Sequence, residues 1–221
     1  MINEIAMSVS GFLFLFIIIT AFTSLAFGNK TISDLDSDAK LQKINDDPKK
    51  FRISIVLMLI HNGSIIALAI LLFIVFSPYN IILGVVWTIF RIGESLILFY
   101  NEKNYWGLLN IARQYSGTSG AEKNALIDLG RSILKTKSSS FSFAQILFSI
   151  GTLSYSILFI TYGVVPAIFG WFGIVAGILY GFGNGIILVK PNFKVPAYFG
   201  GLLIFLFEAV LGGWLLFSPL I

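Results

Sequence analysis

The chain has 221 residues, of which 57% are hydrophobic and 12% charged, with a mean hydropathy of +0.89. Soluble domains carry about 25% charged residues, so the composition places this chain among membrane proteins. Its formal net charge is +4, but the cations sit between apolar runs and among acids, so they read as membrane orientation and no nucleic-acid partner is expected. With no cysteine and one histidine, disulfides, iron–sulfur clusters, thiolate chemistry and c-type haem attachment are excluded. Bis-histidine haem or a His-rich metal site cannot be built within one chain, and no cofactor or metal is expected.

Six apolar spans follow in order, at about 7–27, 53–76, 81–100, 141–163, 167–189 and 197–217. Each matches the roughly 20 residues that a helix needs to cross the hydrocarbon core. Ser24-Leu25-Ala26 resembles a signal-peptide cleavage site, but only Glu4 precedes the first span and nothing basic does, so that span is expected to be retained. The fold class is therefore all-α, a polytopic six-helix membrane bundle in a single domain over 1–221.

Lys and Arg alternate by connection. Segment 29–52 holds six, 101–140 holds six, 190–196 holds Lys190 and Lys194, and the remaining cation, Arg91, lies inside the third span. The termini and the other two connections hold none. The positive-inside rule then puts these three segments in the cytoplasm and both termini outside, in the cytoplasmic membrane.

The short outer connections, Ser77-Pro78-Tyr79-Asn80 and Val164-Val165-Pro166, make spans two and three, and four and five, antiparallel neighbours. Segment 29–52 mixes its six cations with Asp34, Asp36, Asp38, Asp46 and Asp47 and reads as solvated surface with room for one short helix. Its Asn29-Lys30-Thr31 is a glycosylation sequon that a cytoplasmic location would leave empty. Segment 101–140 is more ordered. Tyr105, Leu108, Leu109, Ala112 and Tyr115 recur at helical spacing, and Ser116-Gly117-Thr118-Ser119-Gly120 interrupts them. A capping-box pattern at Ser119 and Glu122 opens a second amphipathic run through Leu126, Leu129, Ile133 and Leu134. Two short amphipathic helices between spans three and four are expected, lying on the inner surface or under the bundle; a gate or partner-docking role is the functional alternative.

Gly173, Gly177, Gly181 and Gly185 recur every fourth residue along span five, a stripe of small residues that lets helices approach closely within the bundle or in an oligomer. Gly200, Gly201, Gly212 and Gly213 do the same at the ends of span six. Trp171 and Trp214 fall near the outer interface, and Tyr100, Tyr105, Trp106 and Tyr198 near the inner one, as an aromatic belt would.

Charges inside the spans carry the functional question. Arg91 and Glu208 fall near the midplane, with His61, Asn62 and Glu94 about a third of the way across from the cytoplasmic side and Gln145 and Asn184 near the inner surface. A charge facing lipid costs at least about 2.5 kcal/mol, so these groups should face the interior and pair. A buried polar network of Arg91, Glu94, Glu208, His61, Asn62 and Asn184 is expected, with Arg91 bridging to Glu208, Glu94 or both. It is either a satisfied lock on helix registry or a proton relay or ligand pocket, because one cation against two carboxylates leaves one acid to be protonated or to pair with His61.

Motifs of enzymes are missing: the sequence has no His-Glu-x-x-His, Gly-x-Ser-x-Gly or phosphate loop, and no aspartate pair spaced for metal-assisted chemistry in a span. Glu94 and Glu208 each lie in the last span of a three-span half, as in inverted repeats, but the loop lengths do not repeat.

Four stretches carry a resemblance. They are Phe51-Arg52-Ile53-Ser54-Ile55, Phe90-Arg91-Ile92-Gly93-Glu94, Val165-Pro166-x-x-x-Gly170-Trp171-x-Gly173-Ile174 and Phe207-Glu208-Ala209-Val210. In their order the chain resembles a prokaryotic family of multi-span membrane proteins catalogued only as a domain of unknown function. The resemblance implies a helical bundle and contributes no activity, so Arg91 and Glu208 carry over as a shared pattern without a role.

The preferred reading is a non-enzymatic structural or accessory protein, as a homo-oligomer or a subunit of a membrane assembly, in contact with membrane lipids. The alternatives are a small transporter or binding protein for a lipophilic or weakly polar ligand using the buried Arg/Glu network, and a membrane enzyme acting on a lipid or isoprenoid.

Overall fold

The computed structural model describes residues 2–29 and 37–218. Among them are seven α-helices: α1 (Ile2–Ser24), α2 (Ser37–Asp46), α3 (Pro48–Phe76), α4 (Ile81–Ser116), α5 (Gly120–Tyr162), α6 (Ala167–Val189) and α7 (Val195–Phe217). All but α2 are long and apolar enough to cross a membrane, which makes this an all-α, multi-pass membrane protein. Lys30, Asp34, Asp36 and the rest of the sequon after Asn29 lie outside the described residues.

Local signals set the ends. The Asp47 side chain accepts a hydrogen bond from the Lys50 amide and Pro48 opens α3, where a missing N–H costs nothing. Asn80 caps α4 by accepting from the Leu83 amide at 3.1 Å. Gly163 ends α5 at φ 61°, a left-handed conformation that glycine adopts without strain. Ser119 occupies the cap position of α5 with extended backbone, but its side chain makes no capping bond, so the expected capping box does not close.

The six long helices run up and down in a ring, each packed on its neighbours in chain order, and α7 closes on α1. Inside lies an apolar core that includes Phe14, Leu68, Leu72, Phe159, Phe207 and Leu211. In lipid such contacts need close backbones, and glycines provide them. A Cβ on Gly11 or Gly212 would strike the opposing backbone or side chain at the α1–α7 contact, and one on Gly200 would meet the Tyr180 backbone at 2.6 Å.

The two amphipathic stretches expected between spans three and four are helical, but they continue the spans. At 1.5 Å per residue the 36 residues of α4 run about 54 Å and the 43 of α5 about 64 Å, well beyond a hydrocarbon core of about 30 Å. No glycine or proline interrupts α4 between Glu94 and Tyr105, and its buried face keeps one phase through Arg91, Glu94, Leu98, Glu102, Tyr105, Leu109 and Ala112. The projecting hairpin builds a second core at the end of the bundle that carries the basic connections. There Leu41 and Ile44 of α2 pack with Phe51, Ile55, Leu108 and Ala112, and Tyr115 donates a hydrogen bond to Asp38. The first connection is therefore only partly the solvated surface its charge suggested. Tyr105 belongs to this core at 6% exposure and is not a belt residue, whereas Tyr100, Trp106, Trp171 and Tyr198 are exposed. Trp214 packs on Phe169, with ring centroids 5.7 Å apart.

Candidate functional site

The ring encloses a cavity of about 410 Å³ to which all six long helices contribute. Most of its wall is apolar, with Ile17 and Ile18 from α1, Ile65 from α3, Leu98 from α4, and Ile204 and Phe205 from α7. Phe22 and Phe141 also line it and are 56% and 42% exposed, so the mouth lies toward the basic end of the bundle.

Polar groups gather on one side of this wall. Arg91 and Glu94 stand one turn apart on the inner face of α4, and Arg91 Nη1 lies 2.8 Å from Glu94 Oε2. Arg91 is 1% exposed; its guanidinium carbon sits 4.4 Å from the Phe148 ring centroid and 5.2 Å from that of Trp87. Gly151 on α5 leaves room for the stem, since a Cβ there would approach Arg91 Cγ to 3.2 Å. Arg91 Nε and Nη1 and Glu94 Oε2 are enclosed and complete no hydrogen bond of ordinary geometry, so the pair is held by charge and by the aromatic faces.

Glu208, on α7, lines the cavity at 9% exposure, and among the described residues no group completes a hydrogen bond or ion pair with its carboxylate. The expected Arg91 bridge thus reaches Glu94 and not Glu208. His61 enters from α3, with Nδ1 3.0 Å from the Ile17 carbonyl and 3.3 Å from Thr20 Oγ1. A carbonyl accepts, so Nδ1 carries the hydrogen, and the lone pair of the neutral ring is on Nε2. Gln145 and Tyr180 complete the polar lining.

Asn62 and Asn184 do not line the cavity. Asn62 is fully buried on another face of α3, both its side-chain polar atoms lack partners, and its backbone carbonyl accepts from Ser95 Oγ at 2.7 Å. Asn184 turns back on its own helix and donates to the Tyr180 carbonyl at 3.0 Å. Phe148 and Tyr180 carry no sequence signal as site residues, and Gln145, expected near the inner surface, lines the cavity with them. Its position one turn ahead of Ser149 and on the face of Phe148 is what brings it in.

The glycine stripe is used at the contact between α5 and α6. A Cβ on Gly173 would strike Ser156 Oγ and the Phe207 ring, one on Gly181 would come within 2.9 Å of Ser149 Cβ, and one on Gly177 would make ordinary contact with Leu153 at 3.4 Å. Gly185 faces open space.

A second buried ion pair lies just past the apolar stretches, where Lys137 of α5 meets Glu102 of α4 at 3.1 Å, and Lys137 Nζ stands 3.2 Å from the Tyr105 ring centroid. Burial raises the Glu102 carboxyl above its usual range, and Lys137 opposes this. Burial lowers the Lys137 ammonium, and Glu102 opposes that.

Fold and site together define a multi-pass integral membrane protein, a helical bundle with a partly polar cavity between its spans. Residues 9–218 match the model of the domain of unknown function DUF4386, and the chain belongs to that family. No curated protein and no solved structure matches it significantly.

Proposed function

We propose that the chain binds a small amphiphilic molecule in the cavity within the ring, as a binding protein or transporter. The observation that carries this is the unpartnered Glu208 carboxylate facing an apolar space of about 410 Å³. That volume lies within the roughly 300–1,000 Å³ of small-molecule sites, which are mostly apolar with a few convergent polar groups. A purely registry-fixing role for the charges is less well supported, since Arg91 and Glu94 lie on one helix and a pair within one helix cannot set the register of two. Nor does the glycine stripe call for a partner subunit, because Gly173, Gly177 and Gly181 meet side chains of this chain's own helices. An accessory role in an assembly keeps only the projecting α4–α5 hairpin as motive.

Orientation in this reading follows the cations. The basic end and the cavity mouth face the cytoplasm, both termini lie outside in the cytoplasmic membrane, and the ligand enters from the inner leaflet or the cytoplasmic side.

The test is binding of a neutral lipophilic fluorophore, N-phenyl-1-naphthylamine, to the protein in nanodiscs, with empty nanodiscs subtracted. Saturable binding that Ala21→Trp abolishes, by filling the cavity from α1, is the expected result. Binding that is unsaturable or unaffected by Ala21→Trp would count against the cavity.

A further inference from the structure

We infer that the cavity takes an organic cation with apolar substituents, and that the cation replaces the proton carried by Glu208 in the empty site. This rests on the reading of the cavity as a binding site and adds the charge of its ligand.

The geometry separates the three charged groups by how their charges are balanced. Arg91 is already countered by Glu94 at 2.8 Å, and its Nε and Nη1, together with Glu94 Oε2, are enclosed. Both side chains line the cavity, but their charges balance each other, which leaves the Glu208 carboxylate as the uncompensated one. The Glu208 carboxylate lines the cavity without a protein partner among the described residues. The aromatic rings of Phe22, Phe141 and Phe205 share the same wall, and ring faces attract cations.

The groups facing Glu208 leave the balance open by one charge. They are His61 on α3, Arg91 and Glu94 on α4, Tyr155 and Gln145 on α5, and Tyr180 on α6; α1 presents no titratable group to the cavity. With the Arg91–Glu94 pair neutral as a unit, an ionised Glu208 leaves the site at minus one. A lone carboxylate in an apolar space takes a proton or a cation. The exchange is simple in atoms: the Glu208 O–H bond breaks, the proton leaves to water through the mouth, and the carboxylate remains as the counterion of the bound cation. No other bond changes.

The experiment titrates tetraphenylphosphonium into the full chain in nanodiscs in weakly buffered solution, counting protons released per cation bound, against empty nanodiscs. Tetraphenylborate, of the same shape and opposite charge, is run beside it. The expected result is about one proton released per cation, affinity that rises tenfold per pH unit while the carboxyl holds its proton, and no binding of the borate. Glu208→Asp keeps the proton release; Glu208→Gln abolishes it and weakens binding at least tenfold. Binding without proton release, equal binding of the borate, or an unchanged Glu208→Gln would overturn the inference. If Glu208→Gln does not fold, the proton count on the unaltered chain decides alone. If N-phenyl-1-naphthylamine binds in the cavity and tetraphenylphosphonium does not, the exchange fails while the cavity reading stands; if neither binds, both fail.

Discussion

Arg91 is the largest fully buried side chain among the described residues, and removing it falls hardest on its partner. Arg91→Leu leaves Glu94 alone in the interior and should destabilise by roughly 3–5 kcal/mol, whereas Arg91→Leu with Glu94→Leu should recover most of that loss. A double-mutant cycle of unfolding in detergent measures it; a loss in the double variant equal to the sum of the two single losses would show that the two residues are not coupled. The glycines give a paired contrast. Gly173→Val overpacks against Ser156 and Phe207 and should cost about 1–3 kcal/mol, while Gly185→Ala meets open space and gains helix propensity, so it should be neutral or slightly stabilising in the same assay. At this scale the sequence told half the story. The charges within spans were legible because charge in lipid demands an explanation, and Arg91, Glu94, His61 and Glu208 do share a cavity. Asn62 and His61 are adjacent in the chain yet one is shut away and one faces the cavity, because neighbouring helix positions point about 100° apart.

Helix boundaries within the spans followed from hydrophobic length, but the continuity of α4 and α5 did not. A change from lipid-facing to water-facing composition near Tyr100 looked like a break, although the buried face keeps its 3.6-residue phase across it. The burial of Leu41 and Ile44 was masked by the charges around them, since two apolar residues in a charged segment carry little signal until a partner surface exists. The Glu102–Lys137 pair joins the two projecting helices at 3.1 Å, beside the apolar contacts of the second core. Lys137→Met leaves a buried carboxylate whose pKa stands above its unfolded value. Such a group stabilises the fold fully only below the unfolded value near 4.5 and loses that contribution as pH rises through the raised one. The unfolding temperature of Lys137→Met should therefore fall from pH 4.5 toward neutrality more than that of the unaltered chain, and adding Glu102→Gln should flatten the difference. A pH-independent deficit would contradict the assignment.

As a whole the molecule is a ring that closes on itself, with α7 against α1, and a cavity displaced toward its basic end. The ring order and its closure lay beyond the sequence, because apolar spans say that helices pack without saying which. The orientation belongs to this scale too. A cysteine at Ser119 should react only with membrane-permeant reagents and one at Tyr79 should label from outside, and the reverse pattern would turn the protein over in the membrane. The most direct test of the central claim is native mass spectrometry of the chain extracted gently from its own membrane. The account predicts the 24.4 kDa chain carrying a discrete small extra mass that Ala21→Trp abolishes. A bare chain, or multiples of the chain with other polypeptides and no small-molecule mass, would contradict it.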